Sequence, residues 1–293
     1  MGLPLEKLLH EVGDLPPMPV VAQRVMELCG NERTSADQLG KVIGNDQGLA
    51  TRILKMANSA LYGTPQGVET VNQAIVRLGF QTTERIVIQA SVQQIMRVVD
   101  DLDRYLWNHS ITVAISAHVV ARVSRTALAD EALTAGLLHD VGKTIIKLRH
   151  PSRYGLVAAE ARTTGNWTQP EWDMFGYEHT EVGALVMACW KLSRRLTMVA
   201  QYHHHTALLD SGDVGRARRE VAGMDASTAR LVAVVAMADD IAHRLAGAAW
   251  LERNTLAIHD TKAARFLGIS EEDAEKMMEQ IRSSVGEEFR SFV

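Results

Sequence analysis

The run Leu133–Leu138, apolar but for Thr134, ends directly on His139 and Asp140, and Gly142 and Lys143 follow. An apolar helix that delivers two adjacent metal-type ligands constrains this chain more than any other stretch. Neighbouring side chains on a helix diverge by roughly 100°. One ion can therefore take both His139 and Asp140 only near a helix end, or two ions share the pair. A borderline metal with one nitrogen and one oxygen ligand needs two to four more donors. The rest of the chain has to supply them.

The remaining ligand-type residues fall where helices are expected to meet. His109 follows Trp107 on a long helix, His179 lies just inside the helix after Gly176, and His203, His204 and His205 end another. Asp239 and Asp240 sit in an apolar helix beside Val235, Met237 and Ile241. Taken singly, each has an ordinary explanation: a packed helix histidine, a cation at a helix C-terminus, or an Asp239–His243 pair four residues apart. As a series on separate helices, His109, His139, Asp140, His179, His203, His204 and Asp239 point to one shared interior site. A buried carboxylate is costly unless a cation or metal pairs with it.

Helical periodicity with capping signals recurs along the whole chain, and no segment alternates like a strand, so the expected class is all-α. Ser35 or Thr34, Asn45 or Asp46, Thr70, Thr82 or Thr83, and Ser193 read as helix starts. Asp14-Leu15-Pro16-Pro17-Met18-Pro19 breaks helicity near the N-terminus. The expected organisation is two-lobed: an N-terminal helical lobe over 1–100, a second helical lobe with the metal site over 101–250, and a helical extension over 251–293. The charged joint Asp100–Asp103 marks the border between the lobes. Leu3–Val12 reads as a short helix, Tyr62–Gly67 as a loop, and Ser211–Asp225, with Arg216, Arg218 and Arg219, as a polar segment.

With 293 residues, 46% of them hydrophobic, the chain can bury a substantial core. A formal net charge of -4 disfavours a general nucleic-acid binder, which needs a basic surface. Neither a secretory signal nor a run of about 18 apolar residues is found, so the expected setting is a bacterial-type cytoplasm without a membrane partner. The two cysteines, Cys29 and Cys189, read as small hydrophobes in a reducing compartment.

The histidine/aspartate series resembles that of the HD-domain superfamily of metal-dependent phosphohydrolases. That resemblance makes His109, His139, Asp140 and Asp239 the four core ligands. It matches His179, His203 and His204 to the added histidines of the two-metal branches, which include the HD-GYP cyclic-dinucleotide phosphodiesterases. Lys143 matches the lysine that faces a substrate phosphate. Over roughly residues 13–245 the chain is more similar to the HDOD branch, the HD-related output domain of bacterial signalling. Leu15-Pro16-Pro17-Met18-Pro19, Asn45-Asp46-Gln47-Gly48-Leu49, Leu54–Ala60, Ala74-Ile75 with Leu78-Gly79, Trp107–Ser110 and Gly136–Lys143 carry that similarity. So do His179, Gly183 and Trp190. Two departures set it apart from the HD-GYP enzymes: His205-Thr206 stands where Gly-Tyr-Pro is expected, and Tyr105 stands where the bimetal enzymes place a carboxylate one turn before the first histidine.

The resemblance implies a regulatory signalling module that acts through a protein partner or a small ligand. It also implies one or two divalent transition-metal ions (Fe, Mn, Ni or Zn). The alternative it carries is a metal-dependent phosphohydrolase acting on a nucleotide or other phosphoester, with Asp140 and Lys143 as catalytic residues.

Overall fold

The computed structural model describes residues 15–59, 67–96, 98–126, 129–206, 224–246 and 256–292. The expected helix over Leu3–Val12, the segment 60–66 and the Arg216–Arg219 cluster lie outside them. The described residues are helical, with no strand among them. No described helix is long and apolar enough to cross a membrane. Contacts divide the described residues into two compact units, 16–97 with 286–292, and 15 with 98–285.

In the first unit, α1 (Val20–Cys29), α2 (Ala36–Gly44), α3 (Gln47–Ala57), α4 (Val71–Leu78) and α5 (Phe80–Ile95) enclose Val25, Leu39, Ile43, Ile53 and Ile75, all excluded from solvent. Ser35 and Thr70 cap α2 and α4 through reciprocal boxes with Gln38 and Gln73, and Asp46 caps α3. At the end of α3, the Asn58 side chain donates to the Val68 carbonyl and accepts from its N–H, at 3.0 and 2.8 Å. The sequence places the next helix start at Thr82 or Thr83, but α5 begins at Phe80. Gly79, at φ 77°, is at once the C-cap of α4 and the N-cap of α5, so no linker separates them.

The second unit is built on the 23-residue helix α6 (Asp101–Val123). It starts at Asp101 because Asp100 caps it in a box with Asp103. Lys147 donates to both carboxylates, at 2.8 Å to Asp100 Oδ2, and so ties α8 to the start of α6. The helices α7 (Ala129–Leu138) and α13 (Ala226–Leu245) pack along α6, and α8 (Val141–Arg149) and α12 (Arg194–Tyr202) pack against α11 (His179–Cys189). The 14-residue helix α9 (Pro151–Thr164) and the short α10 (Thr168–Phe175) follow α8. After a 3-10 turn at Ile258–Asp260 come α14 (Lys262–Leu267), packed on α13, and α15 (Glu271–Phe292).

Two glycines set how closely the helices approach one another. A Cβ on Gly136 would lie 2.9 Å from Ala114 Cα, so α7 rests on the α6 backbone. A Cβ on Gly142 would lie 2.0 Å from the His179 carbonyl oxygen, so α8 and α11 meet main chain to main chain at the helix start that carries His179.

Candidate metal centre

His139 and Asp140 occupy the junction between α7 and α8. The break solves the geometric problem of two adjacent ligands, because the chain leaves one helix and enters another between Leu138 and Val141. His109 comes from α6, His179 from the first turn of α11, His203 and His204 from the end of α12, and Asp239 from α13. The fold brings all seven together in the second unit. His139, His179 and His203 are at most 1% exposed and Asp140 is 3% exposed, while the His204 side chain is 30% exposed.

Asp140 divides the cluster. Its Oδ1 faces His179 Nε2 at 3.3 Å and His203 Nε2 at 3.5 Å, and its Oδ2 faces His139 Nε2 at 3.3 Å and His109 Nε2 at 3.6 Å. Asp239 Oδ1 adds to the second group, 3.0 Å from His109 Nε2 and 3.7 Å from His139 Nε2. His204 joins the first, its Nε2 3.1 Å from that of His179. The donor atoms of Asp140, His179, His203 and His204 lie within 4.8 Å of one another, as do those of His109, His139 and Asp140.

The imidazoles are prepared as ligands. His139 Nδ1 lies 2.7 Å from the Gly136 carbonyl, and His203 Nδ1 lies 3.1 and 3.0 Å from the Val199 and Ala200 carbonyls. A carbonyl only accepts, so Nδ1 carries the proton and Nε2 points into the cluster. His109, His139 and His203 Nε2, with Asp140 Oδ1 and Asp239 Oδ1, are buried and make no hydrogen bond. Buried polar atoms without partners are expensive, and here they all converge on the same small volume. Burial pushes the His109 pKa down to about 4, which leaves it neutral and able to coordinate. Burial also opposes charge on Asp140 and Asp239, yet the surrounding imidazoles, with Lys143 beside Asp140, hold both well below the usual carboxylate range. Against burial, Asp140 and Asp239 raise the His139 pKa to about 10, a proton that a bound divalent ion would displace. Ionised carboxylates and converging imidazole nitrogens fit such an ion.

A further carboxylate, which the sequence reading did not single out, supports this set. Glu171 on α10 is wholly buried. Its Oε2 accepts from His179 Nδ1 at 2.6 Å and from the His179 amide at 2.8 Å, and its Oε1 accepts from the Tyr154 hydroxyl at 2.6 Å. Burial raises its pKa to about 7, against the pull of Lys143, Tyr154 and the His179 amide. In sequence, Glu171 reads only as an acid in the first turn of a helix; nothing there signals a partner eight residues on. A carboxylate behind a ligating imidazole fixes the ring and raises its basicity. Glu171→Gln keeps the shape and removes the charge. It is expected to weaken binding in the His179 half of the cluster by about 10–100-fold, read by competition with a chelator of known affinity, and to spare the His109 half.

Lys143, matched by the resemblance to a phosphate-facing lysine, lies against Asp140. It is 2% exposed, its Nζ donates to Asp140 Oδ2 at 2.6 Å, and it lies 4.7 Å from the centre of the Trp167 ring. A cavity of about 550 Å³ opens beside the cluster, floored by His203, His204, Asp239 and His243 and walled in part by Asn166 and Met237. Lys143 is not among its described lining residues.

The model of the HDOD domain family matches residues 15–206, about two thirds of the chain. The chain belongs to the HDOD family. An uncharacterised protein of Treponema pallidum is 22% identical over 201 residues, which cover 68% of this chain and 39% of that protein. The match thus spans about two fifths of the length of this curated relative. The crystal structure of an HDOD domain protein of unknown function from Geobacter sulfurreducens superposes with a TM-score of 0.73 at 22% identity, over 98% of this chain and 95% of the other. A Shewanella amazonensis protein provisionally assigned as a metal-dependent phosphohydrolase gives 0.66 at 20% identity, over 96% and 97%. A Marinobacter aquaeolei protein provisionally assigned to signal transduction gives 0.70 at 20% identity, over 100% and 61%. At these identities the likeness establishes a shared fold. Proteins of this fold thus include ones named for signalling and for phosphohydrolase chemistry.

Proposed function

We propose that this chain is an HDOD signalling module whose second unit holds two divalent transition-metal ions, and that it reports the state of this centre to a protein partner. The observation that carries the reading is the division of Asp140, one oxygen turned to His179 and His203 and the other to His109 and His139. One carboxylate between two groups of imidazole nitrogens suits a bridged pair of ions. The imidazole-rich set favours Fe, Mn, Ni or Zn over Mg or Ca.

The competing reading, a phosphohydrolase, draws support from the cavity floored by His203, His204 and Asp239. Two ions bound here would acidify a water and offset charge on a phosphoryl group. In that reading Asp140 and Asp239 hold the centre together, and Glu171 holds His179 in the tautomer that leaves Nε2 bare. The cation expected to face the phosphate argues the other way. Lys143 is spent on Asp140, and reaching the cavity would require breaking a buried ion pair, a change that costs about 3–5 kcal/mol when one partner is removed. This favours the signalling module.

The deciding experiment is metal analysis followed by a turnover screen. Protein purified without chelators should hold up to two equivalents of metal. Reloaded with Mn²⁺, Fe²⁺ or Ni²⁺, it should leave mononucleotides, cyclic dinucleotides and a chromogenic phosphoester intact, while an affinity capture recovers a signalling protein whose binding changes on metal removal. Turnover that disappears with the metal would replace the module by the hydrolase.

A further inference from the structure

Asp239 and His243 lie one turn apart on α13, and their side chains meet: His243 Nε2 is 3.4 Å from Asp239 Oδ1. On an exposed helix such a pair is an ordinary surface contact. Here the same Asp239 oxygen also faces His109 Nε2 at 3.0 Å and His139 Nε2 at 3.7 Å, and it accepts no hydrogen bond. The His243 ring lies 4.6 Å from that of His109, centre to centre. The donor atoms of His109, Asp239 and His243 are within 4.8 Å of one another, a group that overlaps the His109–His139–Asp140 set at His109. A divalent ion placed among His109, Asp239 and His243 would satisfy two of these nitrogens and the oxygen together.

We propose that His243 is a metal ligand and completes the His109 half of the centre. This rests on the two-ion reading above and extends it. With His243 the protein donors around the His109 half number five, in two overlapping groups that meet at His109, one with His139 and Asp140 and one with Asp239 and His243. The other half has four: Asp140, His179, His203 and His204. An ion preferring six donors has fewer free positions in the first half than in the second. An exogenous oxyanion, the class represented by inorganic phosphate, therefore binds in the His203–His204 half, and His243 shields the other ion on the same cavity wall.

The test uses the full chain loaded with Co²⁺, whose visible spectrum reports coordination. His243→Ala should weaken one of two Co²⁺ sites by at least the roughly 10–100-fold that loss of an outer-shell partner costs. It should also change the spectrum of that site. The remaining ion should still respond spectrally to inorganic phosphate. His243→Gln keeps a polar contact to Asp239 but not the imidazole, so it should behave as His243→Ala does; if His243→Ala does not fold, it decides by the same readouts. His259→Ala, outside the cluster, should match the unaltered protein. Two Co²⁺ bound by both His243 variants with unaltered affinity and spectrum would overturn the proposal alone, as would rescue by His243→Gln. A phosphate response lost with His243 would overturn the assignment of the oxyanion to the other half. If the unaltered chain binds no Co²⁺, or only one ion, the two-ion reading falls and takes this inference with it.

Discussion

Asp140→Asn is expected to strip the chain of both metal ions, taking the content of chelator-free protein from up to two equivalents to near zero by elemental analysis. Asp239 also reaches both groups, with Oδ1 towards His109 and His139 and Oδ2 3.9 Å from His204 Nδ1, but Asp140 meets two imidazoles with each oxygen, Oδ1 towards His179 and His203 and Oδ2 towards His109 and His139. Loss of an outlying ligand such as His204 should cost one ion and leave the other. The same substitution has a second consequence that metal analysis does not read. Lys143 donates to Asp140 Oδ2 at 2.6 Å and is 2% exposed, so removing the carboxylate charge leaves a buried ammonium uncompensated. Breaking one side of such a pair costs about 3–5 kcal/mol. Thermal unfolding of Asp140→Asn should show that loss, and the double variant with Lys143→Met should recover much of it without recovering metal. Stability and metal content that both stay at the unaltered level in Asp140→Asn would mean that Asp140 is neither bridge nor counter-charge.

Gly142→Ala is expected to be among the most damaging single-methyl changes in the chain. The added Cβ would stand 2.0 Å from the His179 carbonyl oxygen and 2.8 Å from the Gly183 amide nitrogen, both backbone atoms at the start of α11. Main chain cannot rotate out of the way as a long side chain can, so α8 and α11 must separate. Overpacking in a filled interior typically costs about 1–3 kcal/mol and occasionally more, and a clash this deep belongs at or beyond the upper end. For a unit of this size each kcal/mol lowers the melting temperature by about 2–4 °C, so a fall of roughly 6–12 °C or more should be seen by circular dichroism. His179 moves with the start of α11, so metal affinity in its half of the centre should drop as well. Gly155→Ala serves as the control, because its added Cβ would meet nothing within 4 Å. Equal melting temperatures for the two variants would refute the close approach.

Much of this was legible in the chain. The all-helical class follows from periodicity and caps that are local properties, readable over ten or fifteen residues. The Ser35, Asp46, Thr70 and Ser193 caps are where the sequence puts them. The candidate ligands stood out because histidine and aspartate at helix ends and inside apolar helices conflict with burial unless something pairs with them. Lys143 shows where local reading fails: its spacing from Asp140 is visible, but whether it turns to a ligand or to the carboxylate depends on the packing of Trp167 and the surrounding helices. Glu171 and His243 show the same limit. One is an acid in a helix's first turn and the other a histidine four residues from an acid, patterns that occur on any surface helix.

The order of the ligand-type residues, the helices that bear them and the break between Leu138 and Val141 were therefore set by the sequence alone, because each depends on near neighbours. The division of Asp140 between two imidazole groups, the backing of His179 by Glu171 and the approach of His243 to His109 were decided only by tertiary packing. Those contacts join residues on different helices, and their distances depend on how closely glycines such as Gly136 and Gly142 let the helices pack.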